Sequence, residues 1–342
     1  MRCFLIVSQI LTACAMMINA DGVENIDVRA RLMDLVSLSG DAYYQQRAGL
    51  IEKHESGANW GGEVKNSPDW RVVVAARSID FQCADKTAYD TITSAINDAD
   101  FVAPAHLPPA GLLPSRVANA RRLIMGYGIE SFAPVAELVM AGKTRNHLAL
   151  DVILETRDPL SSVVLRFTIV SQKGSFRKGA VWRTEKLLQG MPAVSLSSDD
   201  INSKFSSLVE RNVKWPIKHE NITLPEWHAD EKTRETIINE LISVSDTGDV
   251  QERALAAYLL RYDGENGIDK IENKFRKEMS AWVRACYANS IRSIGGEYSI
   301  KVLSTIKDLE KNAEVVAVID GGNLPLPPWV GLPSETSILK RE

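Results

Sequence analysis

The chain has 342 residues, 45% of them hydrophobic and 25% charged, with 40 basic side chains against 44 acidic ones and a net charge of −4. Enough apolar surface is present to offset the entropy of ordering, which excludes extensive disorder, and 21 Gly, 14 Pro and 4 Cys exclude collagen-like and disulfide-scaffold classes. A mildly acidic balance without a basic block gives a phosphate backbone nothing to hold, so nucleic acid is not the expected partner.

Residues Met1 to Ala20 read MRCFLIVSQILTACAMMINA, with one early charge at Arg2, an apolar stretch to Ile18 and polar sequence from Asp21. That is the layout of a secretory signal, and it is shorter than the ~20 apolar residues a membrane-spanning helix needs. Cleavage is expected after Ala20 or near Ala13-Cys14-Ala15. Leu11-Thr12-Ala13-Cys14 resembles the bacterial lipobox, in which Cys14 would be acylated and would anchor the protein to a membrane surface. The expected location is therefore secreted or periplasmic, with a Cys14 lipoprotein as the alternative. After a cut beyond residue 14 only Cys83 and Cys286 remain, and no CxxC occurs, which removes thioredoxin chemistry and the common structural zinc sites. Cys286 lies in an apolar helical pattern and reads as a buried free thiol.

Helical periodicity dominates the rest. Val28, Leu32, Leu35 and Val36 recur on one face behind Asp27; a glycine-rich loop spans Gly57 to Gly62; a second pattern runs from Trp70 to Phe81; a third carries Ala88, Ile92 and Ile96 behind Asp85. Ala103 to Pro114 holds four prolines and a glycine and reads as a linker. Ser115 then caps a helix with Val117, Ala120, Ile124 and Tyr127 on one face; Phe132, Val135, Leu138 and Val139 make another, closed by Gly142; Leu148, Ala149, Val152 and Ile153 make a third, stopped at Asp158-Pro159. Short apolar runs from Ser161 to Gly190 fit strand and helix alike, since Leu165, Phe167 and Ile169 alternate while Val163, Phe167 and Val170 keep helical spacing. Helical spacing returns at Ile201, Phe205, Leu208 and Val209, and a loop with Pro216 and Pro225 follows. Five helical patterns then run from Ile237 to Leu309, and Gly321 to Trp329 is expected to be extended. The expected organisation is a signal peptide at 1–20, a helical repeat region at 21–158, an irregular insertion at 159–228, repeats at 229–320 and a Pro-rich tail at 321–342.

One internal repeat stands out. Arg253, Ala254, Ala257, Arg261 and Gly264 align with Arg284, Ala285, Ala288, Arg292 and Gly295 at a constant offset of 31. Trp70, Ala76, Ser78 and Ile79 fall onto Trp282, Ala288, Ser290 and Ile291, and Ala120, Leu123 and Gly128 onto Ala288, Ile291 and Gly296. Two short helices cannot each bury a full face alone, so successive pairs stack, and small residues let them approach. The pattern resembles the HEAT repeat in its short bacterial form, clearest over 249–312 and weaker over 115–158. It implies an all-α fold, an α-solenoid of HEAT-like helix pairs (an armadillo-type fold) broken by the central insertion. It also implies that the second helix of each pair, around Phe132 to Met140, Ile268 to Lys277 and Ser299 to Lys311, lines a partner surface. Lys270, Lys274, Lys301 and Lys307 against Glu272 and Glu310 give that surface mixed charge, which suits a protein or peptide. HEAT-like repeats also occur in phycobilisome chromophore lyases, whose active site nothing here reproduces.

Catalytic and ligand motifs fail. His54, His106, His147, His219 and His228 form no HExxH or HxH, although His219-Glu220 and Glu226-Trp227-His228 could meet around Pro225. Gly142-Lys143-Thr144 lacks the first phosphate-loop glycine because residue 137 is Glu, and Gly126-Tyr127-Gly128 is followed by Ser131 where a dinucleotide site needs Gly or Ala. Ser175-Phe176-Arg177-Lys178 matches SxxK without its companion motifs. Asn221-Ile222-Thr223 is a glycosylation sequon, and Trp60, Trp215, Trp227 and Trp329 lie in loops as contact candidates. The expectation is a non-enzymatic interaction protein with no catalytic, cofactor-binding or metal site.

Overall fold

A computed structural model describes residues 28–55, 57–98, 120–121, 124–196 and 222–324. The leader with Cys14, the 103–114 linker, the 201–209 helical pattern, the sequon Asn221, His106, His219, Trp215 and most of the Pro-rich tail lie outside the described residues. Within them the chain is helical apart from one short ribbon, so the class is all-α.

Helix α1 (residues 28–36) precedes α2 (Gly40–Glu52), α3 (Trp60–Glu63), α4 (Trp70–Ala84) and α5 (Lys86–Asp98). The starts are set locally: the Asn59, Asp69 and Asp85 side chains accept the N–H groups of Gly62, Arg71 and Ala88, which no helical carbonyl can satisfy. The glycine-rich loop thus contains the short helix α3. Next come α6 (Phe132–Met140), α7 (His147–Glu155) with an Asn146 cap, α8 (Ser161–Ser171) and α9 (Gly174–Gln189). The carboxyl-terminal series is α10 (Glu231–Thr247), α11 (Val250–Leu259), α12 (Ile268–Lys277), α13 (Ala281–Ile294), α14 (Gly296–Leu309) and α15 (Ala313–Ile319).

The expected irregular insertion at 159–228 is corrected over its first half, since 161–189 is two helices. Val164, Leu165, Thr168 and Ile169 are all buried, an i, i+1, i+4, i+5 pattern that only a helix places on one face. What interrupts the helices is a ribbon in which β1 (Val194–Leu196) pairs antiparallel with β2 (Ile222–Leu224), and Met191 bridges Trp227. Arg157 ties down its base: the guanidinium donates to the carbonyls of Leu224, Pro225 and Pro192 from a residue at φ 53°, the left-handed region.

Two compact units result, cut differently from the boundaries expected at 158 and 228. One joins the chain up to Ser94 to Ala133–Thr144; the other joins Ala95–Phe132 to the chain from Arg145 onward. The first unit has a core that includes Leu35, Tyr43, Trp60, Val72, Ile79 and Ala141. In the second, α9 packs on α11, α11 on α13 and α13 on α15, while α8 lies against α10 and α12 against α14.

The offset-31 residues recur in matching structural positions. Ala257 and Ala288 are fully buried where α11 meets α13, and the Ser290 hydroxyl sits 2.6 Å from the Ala257 carbonyl oxygen. Arg253 Nε and Nη2 donate to the two Glu278 oxygens at 3.0 and 3.1 Å, and Arg284 does the same to Glu310 at 2.6 and 3.0 Å. Each glutamate also accepts backbone N–H groups at the start of the next helix, from Ser280 in one case and from Lys311 and Asn312 in the other. Partial burial opposes ionisation of both carboxyls, but the arginine and N–H hydrogen bonds outweigh it and hold them below the ordinary glutamate range. Arg261 and Arg292 diverge, the first pairing with Glu185 and the second with the Val318 and Gly322 carbonyls.

Gly264 (φ 70°, ψ −160°) and Gly295 (φ 75°, ψ −167°) occupy the same glycine-only backbone region after α11 and α13. No atom lies within 4 Å of a Cβ built at either position, so a side chain would cost backbone strain alone. Gly264→Ala and Gly295→Ala are each expected to lower unfolding free energy by about 1–3 kcal/mol. Urea titration checks this, and unchanged midpoints would show that the turns adapt.

Candidate functional site

The most concentrated polar chemistry lies inside the first unit. Helical spacing puts Tyr43 and Arg47 one turn apart on α2 and Ser78 and Gln82 one turn apart on α4; α5 adds Tyr89, and α6 adds Glu137. Glu137 is wholly shielded from solvent. Its Oε1 accepts from the Tyr43 hydroxyl and from Arg47 Nε, both at 2.6 Å, and its Oε2 accepts from Ser78 at 2.5 Å and from Tyr89 at 3.3 Å. Arg47 also donates to Gln82 and, at 3.3 Å, to Ser78, with its guanidinium carbon 4.8 Å from the Tyr89 ring centroid.

Burial first and the Glu137 charge second push the Tyr43 and Tyr89 hydroxyls up, so both stay neutral donors. Burial works against the Arg47 charge, but Glu137 outweighs it and raises the guanidinium further. The Tyr44 hydroxyl is buried without a hydrogen-bond partner among the described residues, and its acidity is likewise suppressed by burial and Glu137. Four donors saturate the carboxylate. The cluster therefore works as a fixed counter-charge that selects one packing of four helices, and Glu137 has no free oxygen with which to take a proton from a substrate.

A second polar knot lies beside α3. Asp80 accepts from the backbone N–H of Trp60 at 3.1 Å and of Gly61 at 2.7 Å, and its Oδ1 is 2.8 Å from His54 Nε2. A Cβ at Gly61 would lie 2.7 Å from Arg77 Cγ, which explains the glycine after Trp60. His54 is thereby a peg for the loop.

The SxxK match separates on folding. Lys178 turns to Asp249 and Gln251, while Ser175 instead meets His147, Oγ to Nε2 at 3.1 Å. The ring lies against Gly179, where an added Cβ would approach Nδ1 to 2.3 Å. Burial first and the Arg183 guanidinium second lower the His147 pKa to about 4. Asp151, the carboxylate one helical turn away, is bound to Arg183 at 2.7 Å. This is the reverse of a nucleophilic triad, because a cation rather than a carboxylate backs the imidazole and penalises the imidazolium that general-base catalysis would form.

The lysines expected to face a partner are mostly engaged. Lys270 is 3.5 Å from Asp263, Lys307 is 2.6 Å from Asp320 and Lys274 pairs with Asp246, while Lys301 is exposed on α14. Helix α6, expected to line the same surface, has every residue from Phe132 to Val139 buried and offers no face. Cys83 is exposed and Cys286 buried, both as free thiols. His228 pairs with Glu226 at 2.6 Å in an exposed position. Among the described residues no group of three or more His, Cys, Asp or Glu side chains could hold a metal, and no helix is long and apolar enough to cross a membrane. No protein-family model matches the chain, and no curated protein and no solved structure gives a significant match.

Two measurements test these assignments. Glu137→Leu or Arg47→Met alone is expected to cost about 3–5 kcal/mol by stranding a buried charge, and the double variant much less than the sum; additive losses in denaturant titration would show the pair is not coupled. An unfolded histidine protonates near pH 6.5, whereas folded His147 stays neutral to about pH 4. Its contribution is therefore complete above pH 6.5 and is lost as pH falls toward 4. In that window His147→Gln should have a flatter melting-temperature profile than the wild type; parallel profiles would exclude the assignment.

Proposed function

We infer that this chain is an exported, non-enzymatic α-solenoid of HEAT-like helix pairs whose second helices, α12 and α14, form a docking surface for a protein. The observation that carries the reading is the duplicated Arg–Glu clasp: Arg253 with Glu278 and Arg284 with Glu310 repeat one connection from one helix pair to the next, the arginines 31 residues apart and the glutamates 32. Identical joints between successive pairs are what a stacked array requires. The stacking of α9, α11, α13 and α15, and of α12 on α14, supports it further.

Each of these helices buries one stripe, Ile271 and Phe275 on α12 and Val302 and Ile306 on α14, and turns another to solvent. Outward residues include Lys270, Arg276, Lys301 and Asp308 beside exposed Tyr298 and Ile300. Interleaved charges of both signs with isolated apolar side chains suit a protein or peptide better than a polyanion. Export rests on the residue 1–20 leader, with acylation of Cys14 as its lipid-anchored form.

The test pairs two assays. Intact-mass analysis of the mature protein should find an amino terminus at Asp21 or Met16, or a diacylated Cys14; retention of Met1 would remove export. Immobilised mature protein should retain a protein that is lost when Lys270→Glu and Lys301→Glu are combined at unchanged melting temperature. A partner retained equally by both would place the surface elsewhere, and turnover of a small molecule would remove the non-enzymatic reading.

A further inference from the structure

The first unit is built from two stretches of chain that are remote in sequence. Residues up to Ser94 supply α1 through most of α5, and Ala133–Thr144 supply α6, although the residues on both sides of α6 belong to the other unit. Within the first unit, α6 is held by chemistry specific to it. Glu137 gives Arg47 its carboxylate and gives Tyr43, Ser78 and Tyr89 their acceptor. The Gly40 N–H donates to the Ala141 carbonyl at 2.9 Å, and Lys143 reaches Asp41 at 2.5 Å. The Arg47 guanidinium, only 3% exposed in the assembled unit, takes its carboxylate counter-charge from α6.

Residues 28–94 are therefore a receptor for one kind of helix, apolar on all sides with a single carboxylate near its middle. Beyond Ser94 the chain reaches α6 through the segment that begins at Ala95. Its part from 99 to 119 holds Pro104, Pro108, Pro109 and Pro114 and has a contour length of about 70 Å. A body held through a non-covalent socket and tethered by a single strand of chain meets the topological condition for exchange between copies.

We propose that residues 28–94 of one copy take up α6 of a second copy, and the second copy's residues 28–94 take up α6 of the first, in a closed two-fold dimer. Each Arg47 then pairs with the other copy's Glu137. Every contact within the unit is the same in the closed monomer and in the exchanged dimer, so the balance is set by effective concentration. A tether of this contour length supplies roughly millimolar local concentration, which keeps a dilute chain closed and lets crowding or a shorter tether favour exchange.

The experiment uses two full-length variants, Arg47→Glu and Glu137→Arg. Each alone sets like charges against each other in the closed form, whereas exchange between them restores opposite charges in both sockets. An equimolar mixture refolded together should have twice the chain mass by light scattering and a higher melting temperature than either variant alone. With the double variant Arg47→Glu/Glu137→Arg folding cooperatively as the control, a mixture that stays monomeric overturns the proposal. If that control does not fold, wild-type chain refolded at rising concentration decides. A dimer fraction that grows with concentration and persists on dilution supports exchange, and monomer throughout overturns it.

Discussion

A carboxylate with no access to water organises one of the two units. Moving Glu137 out of water costs several kcal/mol unless its charge is matched and its lone pairs are filled, and here Arg47, Tyr43, Ser78 and Tyr89 do both. Because those donors come from α2, α4 and α5, the carboxylate is satisfied in one mutual arrangement of the helices only. An all-apolar interface of the same area would tolerate sliding by a helical turn; a buried ion pair with four directional donors does not. Burial of the tyrosines supports the same outcome, since it keeps their hydroxyls protonated and able to donate.

The second unit solves its packing problem differently. Its two repeated Arg–Glu pairs lie at helix junctions, where arginine forks grip glutamates that also accept the first N–H groups of the following helix. One carboxylate thus joins a helix to a turn and caps the next helix, so the joint can be copied from one helix pair to the next. Small residues at the α11–α13 crossing and a glycine-only turn complete a unit whose parts all act on nearest neighbours. The residues of the SxxK match are taken up under the same rules: Ser175 meets His147, which is backed by a cation, and Lys178 is drawn to Asp249.

Much of this was legible beforehand. Period places α4 and α7, and period with Asp85 places α5; the caps the structure shows, Asp69, Asp85 and Asn146, act on N–H groups two or three residues away and need nothing distant. The stretch 161–189 was not legible, because alternating and helical spacings coincide over short apolar runs and only packing of α8 and α9 against their neighbours separates them. Glu137 left one clue, a lone charge in the apolar run from Phe132 to Met140, but its partners lie 48 to 94 residues away.

Local order therefore belonged to the sequence: helical class, helix starts, the offset-31 repeat and the absence of familiar catalytic motifs all follow from interactions within a few residues or one repeat. The tertiary structure alone decided that α6 completes the amino-terminal unit rather than lining a surface, that Lys270, Lys274 and Lys307 are paired, and that the units divide within α5 and at either end of α6. The reason is physical. A hydrogen bond from a cap is fixed by covalent neighbours, whereas the counter-charge of a buried guanidinium can come from any part of the chain that folding carries to it.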